Sequence, residues 1–189
     1  MGVLEGIAEV LEEDIALKDE LREAALKSTR AIIRSCSRAI SKMVAGQDYR
    51  EDLNRAREES WRLRGTLEGH PDLMEAGYVR DALKELVEAS VLEALLAGKR
   101  PPNHRTMKVS PVVYLEGLAD AAGELRRLAL ERILRGDLEG AQSLIPLMEE
   151  IYATVRDLSI YGISHGLRPR ADRLRDMIGR TKELLAMKK

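Results

Sequence analysis

The chain has 189 residues and a formal net charge of −1, a length typical of one domain with its own core. We therefore expect a single domain over residues 1–189. Hydrophobic residues make up 44% and charged residues 33%, while aromatic residues make up only 3% and Phe is absent. This balance is typical of long amphipathic helices and argues against a β-sandwich, which uses more aromatic and β-branched side chains. Because the net charge is close to zero, nucleic acid would have to bind at a local basic patch.

The single cysteine and the absence of long apolar runs predict where the protein resides. Cys36 lies in an apolar helical stretch and has no second cysteine for an internal disulfide, so we expect a buried thiol in a reducing compartment. The sequence has neither a signal peptide nor an apolar run of about 18 residues. We therefore expect a cytoplasmic protein without a membrane partner.

Apolar residues at helical spacing predict a series of long helices. The first runs from Gly2 to about Val44 without a proline, and at about 1.5 Å per residue it would reach roughly 60 Å. That length is too great for a compact monomer of this size and suggests faces shared between subunits. Gly98–Val109 is the one clear loop. The other helices are predicted from about Asp48 to the Gly69-His70-Pro71 stop, from about Pro71 to Ala97, from Ser110-Pro111 to near Arg135-Gly136, from Asp137 to about Ile160 with a kink or late start at Pro146, and from Pro169 nearly to Lys189.

Paired acidic residues occur on the third and fourth of these predicted helices. Glu85 and Glu88 are three residues apart, and Asp81 extends their row, so the carboxylates share one side of a helix. Asp120 and Glu124 are four apart and are flanked by Ala and Gly, which allow two helices to approach closely. If these helices pack together, four carboxylates meet, and such a group requires a cation or protons. Oxygen ligands alone favour Mg²⁺ or Mn²⁺.

Two other interpretations of these acids are open from spacing alone. The first is that they are surface acids in helical ion pairs, such as Glu124 with Arg127, and spacing by itself favours this interpretation. The second is a di-iron centre of the ferritin type. That centre needs Glu-x-x-His pairs, and none of the three histidines follows a glutamate by three residues, which argues against it.

A longer motif resembles the signature of a known family. The stretch SPVVYLEGLADAAGELRR at residues 110–127, followed by Arg-Gly-Asp at 135–137, resembles that of the translin family, and is closer to the translin-associated factor X branch than to translin. Glu-Leu-Val-Glu-Ala at 85–89 matches the glutamate motif of that branch. Residues 149–152 and 157–158 resemble its fifth helix more loosely.

This resemblance implies a fold, an assembly and an activity. It implies an all-α antiparallel bundle of six to seven helices, a hollow octamer, and Mg²⁺-dependent ribonuclease activity with Glu85, Glu88, Asp120 and Glu124 as catalytic metal ligands. Translin itself lacks the full acidic set and acts as a nucleic-acid-binding scaffold. The eukaryotic factor carries a longer insertion where this chain has the short loop Gly98–Val109, which favours a homo-oligomer over a mixed one.

A basic row on the first predicted helix is a second candidate site. Its members recur every four residues and suit a phosphate backbone: Arg30, Arg34, Arg38 and Lys42. A solvated face or ion pairs between subunits explain the same pattern. No aromatic residues are interleaved, so base-specific readout is not expected. Trp61 is expected in the core or in an interface.

From the sequence we therefore hypothesise a metal-dependent endoribonuclease, active as a homo-oligomer, that cuts RNA with little sequence preference. We expect Mg²⁺ or Mn²⁺ as cofactor, RNA as the main ligand and single-stranded DNA as a further one. The alternatives are a non-catalytic translin-like binder of single-stranded RNA or DNA, and a purely structural helical assembly protein.

Overall fold

The computed structural model describes residues 4–188, and every regular element in that range is helical. The all-α prediction is therefore confirmed for this part of the chain. The predicted start at Gly2 and the final Lys189 lie outside the described residues. The helices are α1 Glu5–Ala45, α2 Arg50–Thr66, α3 Pro71–Met74, α4 Gly77–Leu96, α5 Pro111–Leu134, α6 Leu138–Leu158 and α7 Arg168–Lys188, with a 3₁₀ segment Gly162–Leu167 before α7.

The predicted helix from Pro71 to Ala97 is wrong at one point, because it is two helices. Ala76 has an extended backbone (φ −61°, ψ 143°), which interrupts the helical hydrogen bonds between α3 and α4. The Ala76 N–H instead donates to the Leu73 carbonyl and closes the end of α3. Apolar spacing on either side of the break remains compatible with one continuous helix, so periodicity alone did not reveal it.

Side-chain caps fix the starts of α5 and α6 as predicted. The Ser110 hydroxyl accepts a hydrogen bond from the Val113 N–H at 3.3 Å, and Pro111 occupies the first helical position. Asp137 accepts from the Gly140 N–H at 2.8 Å. Pro146 lies inside α6, which continues past it and ends at Leu158, two residues before the predicted end.

The core lies where α4 and α5 pack against each other. Helices α1 and α2 cover one side of this pair, with α1 in contact with both α2 and α4, while α6 and α7 pack against α5. Leu92 and Leu125 are fully buried at the centre. Cys36 is also fully buried, as predicted, and burial raises the pKa of its thiol. Within residues 4–188, no helix is long and apolar enough to cross a membrane.

The N-terminal half of α1 is exposed on every side. Residues 6–20 are all solvent-exposed, so this half of the 41-residue helix extends past the packed bundle. Its large apolar side chains, together with Leu4 just before the helix, are each about half or more exposed: Leu4, Ile7, Val10, Leu11, Ile15 and Leu17. An exposed apolar row of this kind often marks a contact with another protein.

Candidate metal and nucleic-acid site

The four predicted acidic residues line one open cavity. Glu85 and Glu88 enter it from α4, and Asp120 and Glu124 from α5. Gly117 on α5 faces the backbone of α4 and allows the two helices to approach closely, as the small residues in the motif predicted. The cavity has a volume of about 510 Å³. The structure thus brings together all four residues of what we call the acidic cavity.

Helix α7 adds two arginines that the sequence analysis did not place at this site. Arg170 and Arg173 line the same cavity, with Leu174 and Met177 beside them. Their spacing of three residues puts both on one side of α7. That spacing is visible in the sequence, but only the packing of α7 against α5 shows which acids they face.

Burial and crowding raise the pKa of Glu88. Its side chain is only 8% exposed, and removal from water raises its pKa to about 8, helped by the negative charges of Glu85, Asp120 and Glu124. The pKa of Glu85 is also raised, mainly by burial, although nearby Lys84 acts in the opposite direction. The acidic cavity therefore contains a carboxyl group that exchanges its proton near neutral pH.

Both carboxylate oxygens of Asp120 already have cationic partners. Arg170 donates to Oδ1 at 2.7 Å, and the Lys84 ammonium lies 3.2 Å from Oδ2. Glu124 pairs with Arg127 at 3.2 Å, which is the ion pair that the surface interpretation expected. Lys84, Arg127 and Arg170 thus neutralise part of the negative charge of the four carboxylates.

The carboxylate oxygens of the acidic cavity are chemically suitable ligands for a divalent metal. All four are carboxylates, two of them have raised pKa values, and Mg²⁺ and Mn²⁺ prefer oxygen ligands. Among the residues that the structure describes, however, no group of three or more acidic, histidine or cysteine side chains converges closely enough to hold an ion. Because Lys84 and Arg170 occupy Asp120, a metal would have to displace these partners to bind there.

The basic row divides into two halves with different surroundings. Arg38 donates from Nε to Asp52 Oδ1 at 2.9 Å, and the Lys42 ammonium lies 2.7 Å from Oδ2. Asp52 belongs to α2, and its hydrogen bonds from Lys42 and Arg38 lower its pKa. Arg30 and Arg34 are exposed, and no salt bridge involves either of them within the described part of the chain. Of the four residues in the row, Arg30 and Arg34 are therefore the two that face solvent without an acidic partner in the described part of the chain.

Trp61 is not a core residue, so that part of its prediction is wrong. Its side chain is 61% exposed. The buried face of α2 includes Ala56, Ser60 and Leu63. Successive residues of a helix are rotated by about 100° around its axis, so Trp61 points away from the face that Ser60 occupies. Whether it lies in a subunit interface stays a prediction.

Comparisons with known proteins agree on the fold. The family model described as Translin family matches residues 15–185. The uncharacterized protein MJ0175 of Methanocaldococcus jannaschii is 29% identical over 171 residues, which cover 88% of this chain and 76% of the relative. The structure of AfC3PO matches with a TM-score of 0.85 and 29% identity, over 98% of this chain and 96% of the other. Its duplex RNA complex matches with a TM-score of 0.73 over 98% and 95%. Apo-NeC3PO matches in fold with a TM-score of 0.87 and 21% identity over the whole of both chains.

Proposed function

The chain belongs to the translin family, and from that premise we propose that it is a metal-dependent endoribonuclease that cuts RNA with little sequence preference. The observation that carries the proposal is the acidic cavity itself. Four carboxylates from two helices share one open space with two arginines, and one of the four is almost fully buried. Buried acids without a structural role are costly, which favours a functional reason for them.

Binding of RNA is supported by a relative and by charge. AfC3PO, which shares the fold and 29% of the sequence, has been determined in complex with duplex RNA. In this chain, exposed Arg30 and Arg34 on α1 and Arg173 on α7 offer cations for phosphates. Single-stranded DNA carries the same phosphate charge, so we include it as a second ligand.

Glu85, Glu88, Asp120 and Glu124 would hold Mg²⁺ or Mn²⁺. Such an ion lowers the pKa of bound water and stabilises negative charge on a phosphodiester. The chain itself contributes positive charges at the cavity: Lys84 and Arg170, which pair with Asp120, and Arg173, which would contact a phosphate there. In the metal-free protein Glu88 has a raised pKa of about 8, so a bound metal would have to displace its proton near neutral pH.

We further propose that the active form is a closed homo-oligomer, with an octamer as the expected count. The exposed apolar row on the N-terminal half of α1 supports this assembly, because its side chains would be buried by a neighbouring subunit. The short loop between α4 and α5 favours identical subunits over a mixed complex.

The test uses labelled RNA with Mg²⁺ and with EDTA. We expect cleavage with Mg²⁺, a mobility shift without cleavage in EDTA, and loss of cleavage in Glu124→Gln, which preserves shape but removes one charge. Glu131→Gln is the matched control, because Glu131 lies on α5 outside the acidic cavity and pairs with Arg135. The same loss is expected for Glu85→Gln, Glu88→Gln and Asp120→Asn.

The outcomes separate the three functional hypotheses. Full activity in Glu124→Gln, or cleavage that persists in excess EDTA, rejects the metal-ligand assignment. A shift without cleavage under all conditions identifies a non-catalytic binder of single-stranded nucleic acid. If the protein neither shifts nor cleaves the RNA, a structural assembly role is the remaining hypothesis.

A further inference from the structure

An exposed tryptophan on α2 lies under a lysine from the loop between α4 and α5. The Lys108 ammonium is 4.4 Å from the centre of the Trp61 ring, and the ring itself is 61% exposed. A large exposed aromatic side chain costs free energy in water unless it has a partner. The contact with one lysine covers only part of it.

The loop that carries Lys108 is held in an unusual conformation. Lys108 has φ 53°, the one positive φ outside glycine among the described residues. This left-handed conformation is unfavourable for a residue with a Cβ, and such strain tends to occur at functional sites. Arg64 stabilises it by donating to the carbonyls of Lys108 at 2.7 Å and Met107 at 3.1 Å. Arg64 therefore fixes Lys108 next to Trp61 instead of leaving it free.

The loop that carries Lys108 is basic. The loop at Gly98–Val109 contains Lys99, Arg100, Arg105 and Lys108, together with His104, and no acidic residue. Two cavities adjoin the indole, of about 250 and 480 Å³; both are lined by Trp61, Arg64 and Lys108, and the larger one also by Glu68. Cations beside an exposed aromatic face are the combination by which proteins hold unpaired nucleotides.

We propose that Trp61 and the 98–109 loop form a second RNA contact, at which an unpaired base stacks on the indole while the loop cations neutralise adjacent phosphates. This contact is separate from the acidic cavity and from the basic row on α1. The proposal rests on the RNA-binding part of the proposed function and is independent of cleavage. The absence of interleaved aromatic residues noted for the basic row does not apply here, because Trp61 lies on α2.

Trp61 is the only tryptophan in the chain, so its fluorescence reports directly on this surface. We would titrate the wild-type protein with a short single-stranded oligouridylate in EDTA and measure emission and mobility shift on the same samples. We expect saturable quenching with the same midpoint as the shift. A blunt duplex of equal length should quench less, because its bases are already stacked on one another.

Two variants distinguish stacking from general charge. Trp61→Phe keeps an aromatic face and should bind labelled RNA within about threefold of wild type, whereas Trp61→Leu should lose about tenfold in affinity. Tyr161→Leu is the matched control, because Tyr161 is 60% exposed, follows α6 and lines neither of the two cavities, so this variant should bind as wild type. Lys108→Gln should reduce the salt slope by about one.

Each contrary result has a distinct meaning. RNA binding without quenching, or normal affinity in Trp61→Leu, overturns the second contact and leaves the proposed function intact. Absence of any RNA shift rejects RNA binding as a whole and this contact with it. If Trp61→Leu changes the mass of the assembly and not its RNA affinity, the indole is a subunit contact and the proposal fails.

Discussion

Gly117 on α5 lies directly against the backbone of Lys84 on α4. A Cβ at this position would be 2.7 Å from the Lys84 carbonyl oxygen and 2.7 Å from the Val87 Cβ, far inside van der Waals contact. Gly117→Ala should therefore push the two helices apart and lower the free energy of unfolding by about 1–3 kcal/mol. Urea denaturation followed by circular dichroism measures the change.

The same helix supplies the control for this substitution. A Cβ at Gly123 would have no neighbouring atom within 4 Å, so Gly123→Ala meets no neighbour and gains helix propensity. We expect it to raise stability by about 0.5–1 kcal/mol. Equal stabilities for the two variants would show that the close contact at Gly117 is not required.

The raised pKa of Glu88 predicts that metal-free protein loses stability as pH rises. Below about pH 4.5 the carboxyl is protonated in both the folded and unfolded chains, and above about pH 8 it is ionised in both. Between these values the folded state binds more protons, so the free energy of unfolding falls with increasing pH. Denaturation in EDTA at about pH 5, 6, 7 and 8 measures this slope.

Glu88→Gln should flatten that slope and raise the melting temperature at about pH 8, because no charge is then forced into the buried position. Glu131→Gln should retain the wild-type slope, since Glu131 lies outside the acidic cavity. An unchanged slope in Glu88→Gln would place the pH dependence elsewhere.

Replacing Arg34 should mainly affect RNA binding and replacing Arg38 should mainly affect stability, although the sequence places both residues in one row. Arg34→Ala should weaken binding to all RNA sequences and reduce the salt slope by about one, with little change in stability. Arg38→Ala should instead cost about 1–2 kcal/mol of stability, because it removes one of two cations from buried Asp52; the loss is limited by the half-exposed position of Arg38. Salt-dependent binding assays and urea denaturation separate the two effects.

The exposed row on α1 should hold subunits together. Light scattering of the wild type at low micromolar concentration should give a mass near eight copies of the 21.2 kDa chain. Replacing Leu11 and Ile15 by Glu should shift the mass to smaller species, whereas Glu13→Lys, on the opposite side of α1, should not. A wild-type mass of one chain would contradict the assembly.

Except for the break between α3 and α4, the sequence alone determined the helices and the caps of α5 and α6, because both depend on residues close together in the chain. Apolar spacing placed α1, and the cap chemistry of Ser110 and Asp137 fixed the starts of α5 and α6. Spacing also put Glu85 with Glu88, and Asp120 with Glu124, on shared helix faces.

Only the tertiary structure decided which charges meet. Arg170 of α7 binds Asp120 of α5, which lies 50 positions earlier in the chain. Arg38 of α1 pairs with Asp52 of α2, which lies 14 positions later. Periodicity assigns a side chain to a face of its own helix, but carries no information about the partner helix. The exposed position of Trp61 has the same origin, since the packing of α2 determines which of its sides is buried.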